Sequence, residues 1–137
     1  MATYVVSGEY CLVNTVDLSD HVTEVTLTYE ADAVETTAMG TTAAKSFIAG
    51  LTSWKVDVDF QQDFASAKVD ATLTGLIGAA AFAIEVRPAT GNRSTTNPGY
   101  NGNCILTSYP ILAGAKGDLA KTRVSFQGTG ALARSTA

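Results

Sequence analysis

The chain has 137 residues, 46% of them hydrophobic and 16% charged, with a formal net charge of -4 and an isoelectric point near 4.7. That length suits one domain, 1–137, with enough apolar content to bury a core without disulfide or metal staples, which excludes a disordered chain. The acidic balance argues against a protein that grips nucleic acid, because phosphate binding needs clustered Lys and Arg that release counterions.

Tyr10, Leu12 and Asn14 alternate with Cys11 and Val13, a short strand over 9–15 that Asp17, Ser19 and Asp20 close as a turn. Residues 21–30 resume the alternation, with Val25, Leu27 and Tyr29 opposite Glu24, Thr26 and Thr28. Residues 31–45 hold neither period, and Gly40 and a run of small residues mark them as a long protruding loop. Loops of that length are uncommon in compact domains and usually carry function. Its roughly 14 residues span on the order of 45 Å when extended. A compact chain of this size is only about 37 Å across, so the loop can lie over a neighbouring copy. Val34 and Met39, with Asp32 and Glu35, give it adhesive content.

A brief extended piece over 46–49 ends at Gly50. Trp54, Val56, Val58 and Phe60 then alternate with Lys55, Asp57, Asp59 and Gln61, a strand with one buried and one wet face. Val69, Leu73, Leu76 and Ile77 fall on one helical stripe, which predicts a helix over about 65–78, capped by Asp63 and ended near Gly75 and Gly78. Phe82, Ile84 and Val86 form a strand that Pro88 stops. Residues 90–102, rich in Asn, Gly, Ser and Thr, read as an exposed loop. The last strands are 103–112 and 122–127, joined by a Gly-rich turn at 114–118, and the tail 128–137 is expected to be flexible. The sum is a mainly β (α+β) fold, an antiparallel β-sandwich or partly closed barrel with one flanking α-helix. Its core draws on Trp54, Phe60, Leu73, Ile77, Phe82, Ile84, Val86, Ile105 and Phe126.

No catalytic, cofactor or metal constellation emerges. Asp57, Asp59 and Asp63 lack the further oxygens and tight glycine turn of a calcium loop and read as a solvated face. His21 is the sole histidine, and with Asp20 pointing the other way along a strand it reads as a strand-entry residue. The Gly114–Asp118 stretch lacks phosphate-loop spacing. Cys11 and Cys104 have no CxxC spacing and read as small buried hydrophobes, reduced in a chain without a signal-peptide pattern. Asn92-Arg93-Ser94 matches a glycosylation acceptor without the secretory context that gives it meaning. No apolar run reaches membrane-spanning length.

The order of elements resembles the major tail tube proteins of long-tailed (siphovirus-like) bacteriophages. The residues that carry this are Leu18-Ser19-Asp20-His21-Val22-Thr23-Glu24-Val25, then Tyr29-Glu30-Ala31-Asp32-Ala33-Val34-Glu35-Thr36-Thr37-Ala38-Met39-Gly40, Ala49-Gly50-Leu51-Thr52-Ser53-Trp54 and Phe126-Gln127-Gly128-Thr129-Gly130. The resemblance implies a non-enzymatic virion protein, assembled in the host cytoplasm as hexameric rings that stack into a tube for DNA ejection. Its partners would be other copies of itself and, at the tube ends, other tail proteins. The loop, through Glu30, Asp32, Val34, Glu35, Met39 and Lys45, would reach an adjacent subunit or ring, and Asp57 and Asp59 would face the lumen. Six chains at -4 each give -24 per ring, so DNA would pass without being held. The alternatives are a head decoration or tail-completion protein, or a carbohydrate- or surface-binding module. That last class needs coplanar aromatics, whereas Tyr4, Tyr10, Tyr100 and Tyr109 come from separate segments.

Overall fold

A computed structural model describes residues 3–40 and 43–137. Its strands are β1 (Tyr10–Val13), β2 (Val16–Asp17), β3 (Val22–Glu35), β4 (Phe47–Gln61), β5 (Phe82–Arg87), β6 (Gly99–Ser108) and β7 (Lys121–Ser135), with one short helix, α1 (Val69–Leu73), between β4 and β5. All seven strands join one antiparallel sheet in the order β2-β1-β5-β6-β7-β4-β3. The expected β-rich class holds, in the form of a single curled sheet that does not close.

The core lies on the concave face. Trp54, Val56, Val58 and Phe60 from β4 are buried with Val124 and Phe126 from β7, Cys11 and Val13 from β1, and Ile84 and Val86 from β5. Burying such side chains contributes about 1.5 to 3 kcal/mol each. Phe82 meets Phe126 edge to face, with ring centroids 6.0 Å apart. Val69 and Leu73 seal the core from α1. Cys11 and Cys104 are buried and unpaired, and burial pushes both thiols up to about 12.

Trp54 sits against backbone that only glycine permits. A Cβ at Gly128 would overlap its indole, and one at Gly102 would come within 2.7 Å of the ring. The indole N–H donates to the Gly130 carbonyl at 3.2 Å, where the β6–β7 register shifts and Gly130 takes a φ of +83°. This is a bulge built around one large side chain.

The structure corrects several expectations. Residues 31–35 continue β3, so the first third of the expected loop is strand paired with β4, and the described residues within 36–46 stay outside any strand; Thr41 and Thr42, within the expected loop, lie outside the described residues. The piece at 46–49 and the strand from Trp54 are one element, β4. The helix expected over 65–78 shrinks to α1, because the second half holds Gly75 and Gly78, the latter at a φ of +74°. Asp63 does not cap α1; its side chain accepts the Ala65 N–H at 2.9 Å, while Lys68 occupies the N-cap without a side-chain bond. Tail 128–137 is paired to β6 as far as Ser135. Ile77 and Ile105 are exposed, and Leu76 and Leu106 take their expected places in the core. The last expected strands shift to Gly99–Ser108 and Lys121–Ser135.

Candidate functional site

β4 pairs with β7 only from Lys55 to Gln61. Above Lys55, β7 follows β6 instead, so the backbone of residues 47–53 pairs with β3 alone, from Glu30↔Ser53 to Glu35↔Phe47, whereas Trp54 is anchored in the core and bonded to β7. The result is a two-stranded ribbon that parts from β7 and runs on the order of 20 Å past that point, at about 3.3 Å per residue, while β6 and β7 continue together to Gly99 and Ser135. Its pairing shifts between Ala31 and Ala33, opposite Gly50, where a Cβ would come within 2.9 Å of Val34. The ribbon end is tied by Thr36 N–H to the Ser46 carbonyl and Ser46 N–H to Thr37 Oγ1, each at 2.8 Å.

The ribbon leaves Tyr29, Val34, Met39, Phe47, Ile48 and Leu51 exposed, Leu51 at 83% and Met39 fully. Two-stranded ribbons are marginal in water, and clustered exposed apolar groups mark interaction surfaces. Of the residues singled out from sequence, Glu30, Asp32, Val34 and Glu35 lie on the β3 side of this ribbon, and Met39 and Lys45 in the turn beyond it. Phe47, Ile48 and Leu51 were missed. The signal for them was an apolar cluster next to the loop, read as the start of a separate strand.

β3 is also the terminal strand of the sheet, so among the described residues its outer edge has no strand partner. Part of that edge faces a groove of about 590 Å³ where the sheet fails to close, lined by Glu9, Leu27, Arg87, Tyr4, Tyr29 and Tyr100 among others. Burial raises the pKa of Glu9, a rise opposed by the Val25 backbone of β3. Of the four tyrosines singled out as scattered, Tyr4 and Tyr100 share this groove, joined by Tyr29; Tyr10 lies beside it, and Tyr109 lies elsewhere, its hydroxyl donating to Asp70 at 2.7 Å. Beside the groove, the Arg87 guanidinium stacks over Tyr10 at 4.1 Å. Burial would push Glu85 up, but hydrogen bonds from Arg93 and Arg87 hold it below the ordinary carboxylate range.

Asp57 and Asp59 do share the outer face of β4, but they are not bare. Arg123 from β7 reaches Asp59 at 3.1 Å and Asp57 at 3.9 Å, and Ser125 donates to Asp57 at 2.8 Å. Among the described residues no group of three or more His, Cys, Asp or Glu side chains is arranged to hold a metal ion, and no helix is long and apolar enough to cross a membrane.

No protein-family model matches the sequence, and no curated protein is similar to it in sequence. The fold does have relatives among solved structures. A chain from the virion of a native gene transfer agent particle superposes with a TM-score of 0.74 at 14% identity, over 93% of this chain and 95% of that one. A chain from the tail of an empty gene transfer agent particle with C6 symmetry gives 0.67 at 18%, over 85% and 83%. One from the six-fold symmetrised baseplate of the anti-feeding prophage gives 0.57 at 10%, over 98% and 97%. This chain therefore has the fold of components of phage-like particles.

Proposed function

We propose that the chain is a structural virion protein of a phage-like tail, whose copies join into six-membered rings that stack into a tube for DNA ejection. The observation that carries this reading is the two-stranded ribbon: six exposed apolar side chains, beside a terminal strand with an open edge. A monomer gains nothing from that arrangement, whereas a second copy completes the edge and covers the ribbon. The six-fold symmetry of the particles holding two of the fold's relatives supports the ring size. In this reading Glu30, Asp32, Val34, Glu35, Met39 and Lys45 belong to the arm that reaches the neighbour, and other tail proteins meet the tube at its ends. Asp57 and Asp59 face the lumen, where two carboxylates and Arg123 leave a net charge of -1. DNA passes such a wall without specific binding. The role has no catalytic part and takes the protein to the virion tail.

Negative-stain micrographs of the concentrated protein test the reading: tubes of uniform width are expected, and a dispersed monomer at every concentration overturns it. Isolated rings that never stack indicate a decoration or completion protein instead. A second reading, a sugar-binding module, is favoured by the groove that gathers Tyr4, Tyr29 and Tyr100, since tyrosine rings serve as platforms for sugars. Glycan-array binding by dispersed protein supports that second reading, and its absence alongside tube growth removes it.

A further inference from the structure

The chain's only histidine is held by carboxylates on both ring nitrogens. His21 lies in the turn Ser19–His21 at the β2–β3 corner, with its side chain 15% exposed. Its Nδ1 is 2.8 Å from Asp20 Oδ1, and its Nε2 is 2.8 Å from Asp63 Oδ2, in the segment between β4 and α1. The turn overturns the expectation that Asp20 points away. An ionised carboxylate only accepts hydrogen bonds, so both contacts are made only when both ring nitrogens carry hydrogen, in the imidazolium form. Lys68, just before α1, faces the same cluster and reaches Asp20 at 3.8 Å. Among the described residues, Asp20, Asp63 and Lys68 are the charged groups that face the ring.

The segment so held is lightly built. Ala67 takes a left-handed φ of +61°, which strains a residue with a Cβ, and α1 is five residues long without a side-chain cap. Its other ties are Gln62, whose side chain donates to Tyr109 and to the Ile111 carbonyl and whose backbone N–H donates to the Ala120 carbonyl, the Tyr109 hydroxyl donating to Asp70, and the burial of Val69 and Leu73.

We propose that Asp20, His21 and Asp63 form a proton-operated clamp, which ties the segment before α1 to the β2–β3 corner when the imidazole is protonated and loosens it when the imidazole is neutral. A neutral ring has one N–H, so one carboxylate then faces a lone pair, and either loss weakens the tie: Asp63 belongs to the segment, and Asp20 is its bridge to Lys68. Burial alone would lower the His21 pKa, but Asp20 and Asp63 outweigh it and raise it. The His21 hydrogen bond lowers Asp20; the Ala65 N–H, followed by His21, lowers Asp63. A raised histidine stabilises the fold fully below its ordinary pKa, and that contribution is lost as pH rises through the folded value. The lowered carboxylates keep theirs above the ordinary Asp range and lose it as pH falls through their folded values. The clamp is therefore closed in mildly acidic solution and opens toward alkaline pH, whether or not copies have associated.

Mass spectrometry of the intact chain tests this, assembled or not. Slow deuteration of the imidazole C2 position across pH gives the His21 midpoint, expected above the ordinary value of about 6.5. Backbone-amide exchange, corrected for intrinsic rates, is expected to show protection over residues 62–73 falling several-fold through that midpoint, with β4 and β7 unchanged. Asp63→Asn is expected to lower the midpoint. A wild-type midpoint at or below the ordinary value, or segment protection flat across the midpoint, overturns the proposal without any need for a variant that folds.

Discussion

At the scale of single residues, the tightest constraint is the pairing of Trp54 with Gly128. The Cβ of an alanine would overlap the indole, which is 2% exposed and held from its other side by the core, so the ring or the β7 backbone must move. Overpacking of this kind costs about 1–3 kcal/mol. Gly128→Ala is expected to lower the denaturant midpoint with the m-value unchanged, while Gly40→Ala, where nothing lies within 4 Å of the added carbon, stays within about 0.5 kcal/mol of wild type. Equal stability of the two variants would show that the bulge yields freely. The run Phe126-Gln127-Gly128-Thr129-Gly130 reads from sequence as the last part of a strand and a loose tail because no large apolar side chain follows Phe126 within it. Its smallness is the imprint of a tryptophan from a strand 74 positions earlier, which covers it, and no local pattern encodes such a partner.

At the scale of elements, strands with a clear period of two were legible and those without it were not. β4 from Trp54 to Phe60 and the first half of β3 alternate cleanly, whereas Ala31-Asp32-Ala33 has low strand propensity and becomes strand only because Ala49 and Thr52 pair with it. The same limit explains Ile105: its segment is strand, but a slip of one position exchanges the faces, and Cys104 and Leu106 point inward. The helix was legible as a stripe but too long, since Gly75 and Gly78 end what Val69 and Leu73 begin. For the candidate site, the acidic and apolar residues expected in the arm lie on β3 and in the turn beyond it, and the other half of the ribbon's exposed apolar set lies on its pairing strand. That half separates folding from assembly. Ile48 and Leu51 are 59% and 83% exposed, so Ile48→Lys and Leu51→Lys together are expected to leave the melting temperature of dispersed protein within a few degrees of wild type. The same pair is expected to raise the concentration needed for polymerisation about tenfold or more, because two buried anchors are lost from each contact. Sedimentation across a dilution series checks this, and unchanged polymerisation removes the arm from the interface.

At the scale of the whole molecule, apolar and electrostatic terms oppose each other. The ribbon and the β3 edge favour contact between copies, while a charge of -4 on each chain disfavours packing copies side by side. Which term limits growth depends on range. Apolar burial acts at contact, whereas repulsion between surface charges reaches about 10 Å at 0.1 M salt and about 3 Å at 1 M. Much of the charge within each chain is already paired: Asp57 and Asp59 with Arg123, Glu85 with Arg87 and Arg93, and Asp20 and Asp63 with His21 and Lys68. The acidic residues of the arm, Glu30, Asp32 and Glu35, are exposed, and they would lie near those of adjacent copies in any ring. Screening should therefore help assembly more than it weakens any attractive ion pair across the interface. The concentration at which tubes form is expected to fall several-fold between 0.05 M and 0.5 M sodium chloride, read by light scattering, and charge-neutral Glu30→Gln with Glu35→Gln should flatten that dependence. Tubes that dissolve as salt rises would instead mean that opposite charges hold the copies together, and the apolar ribbon would lose its place as the main source of cohesion.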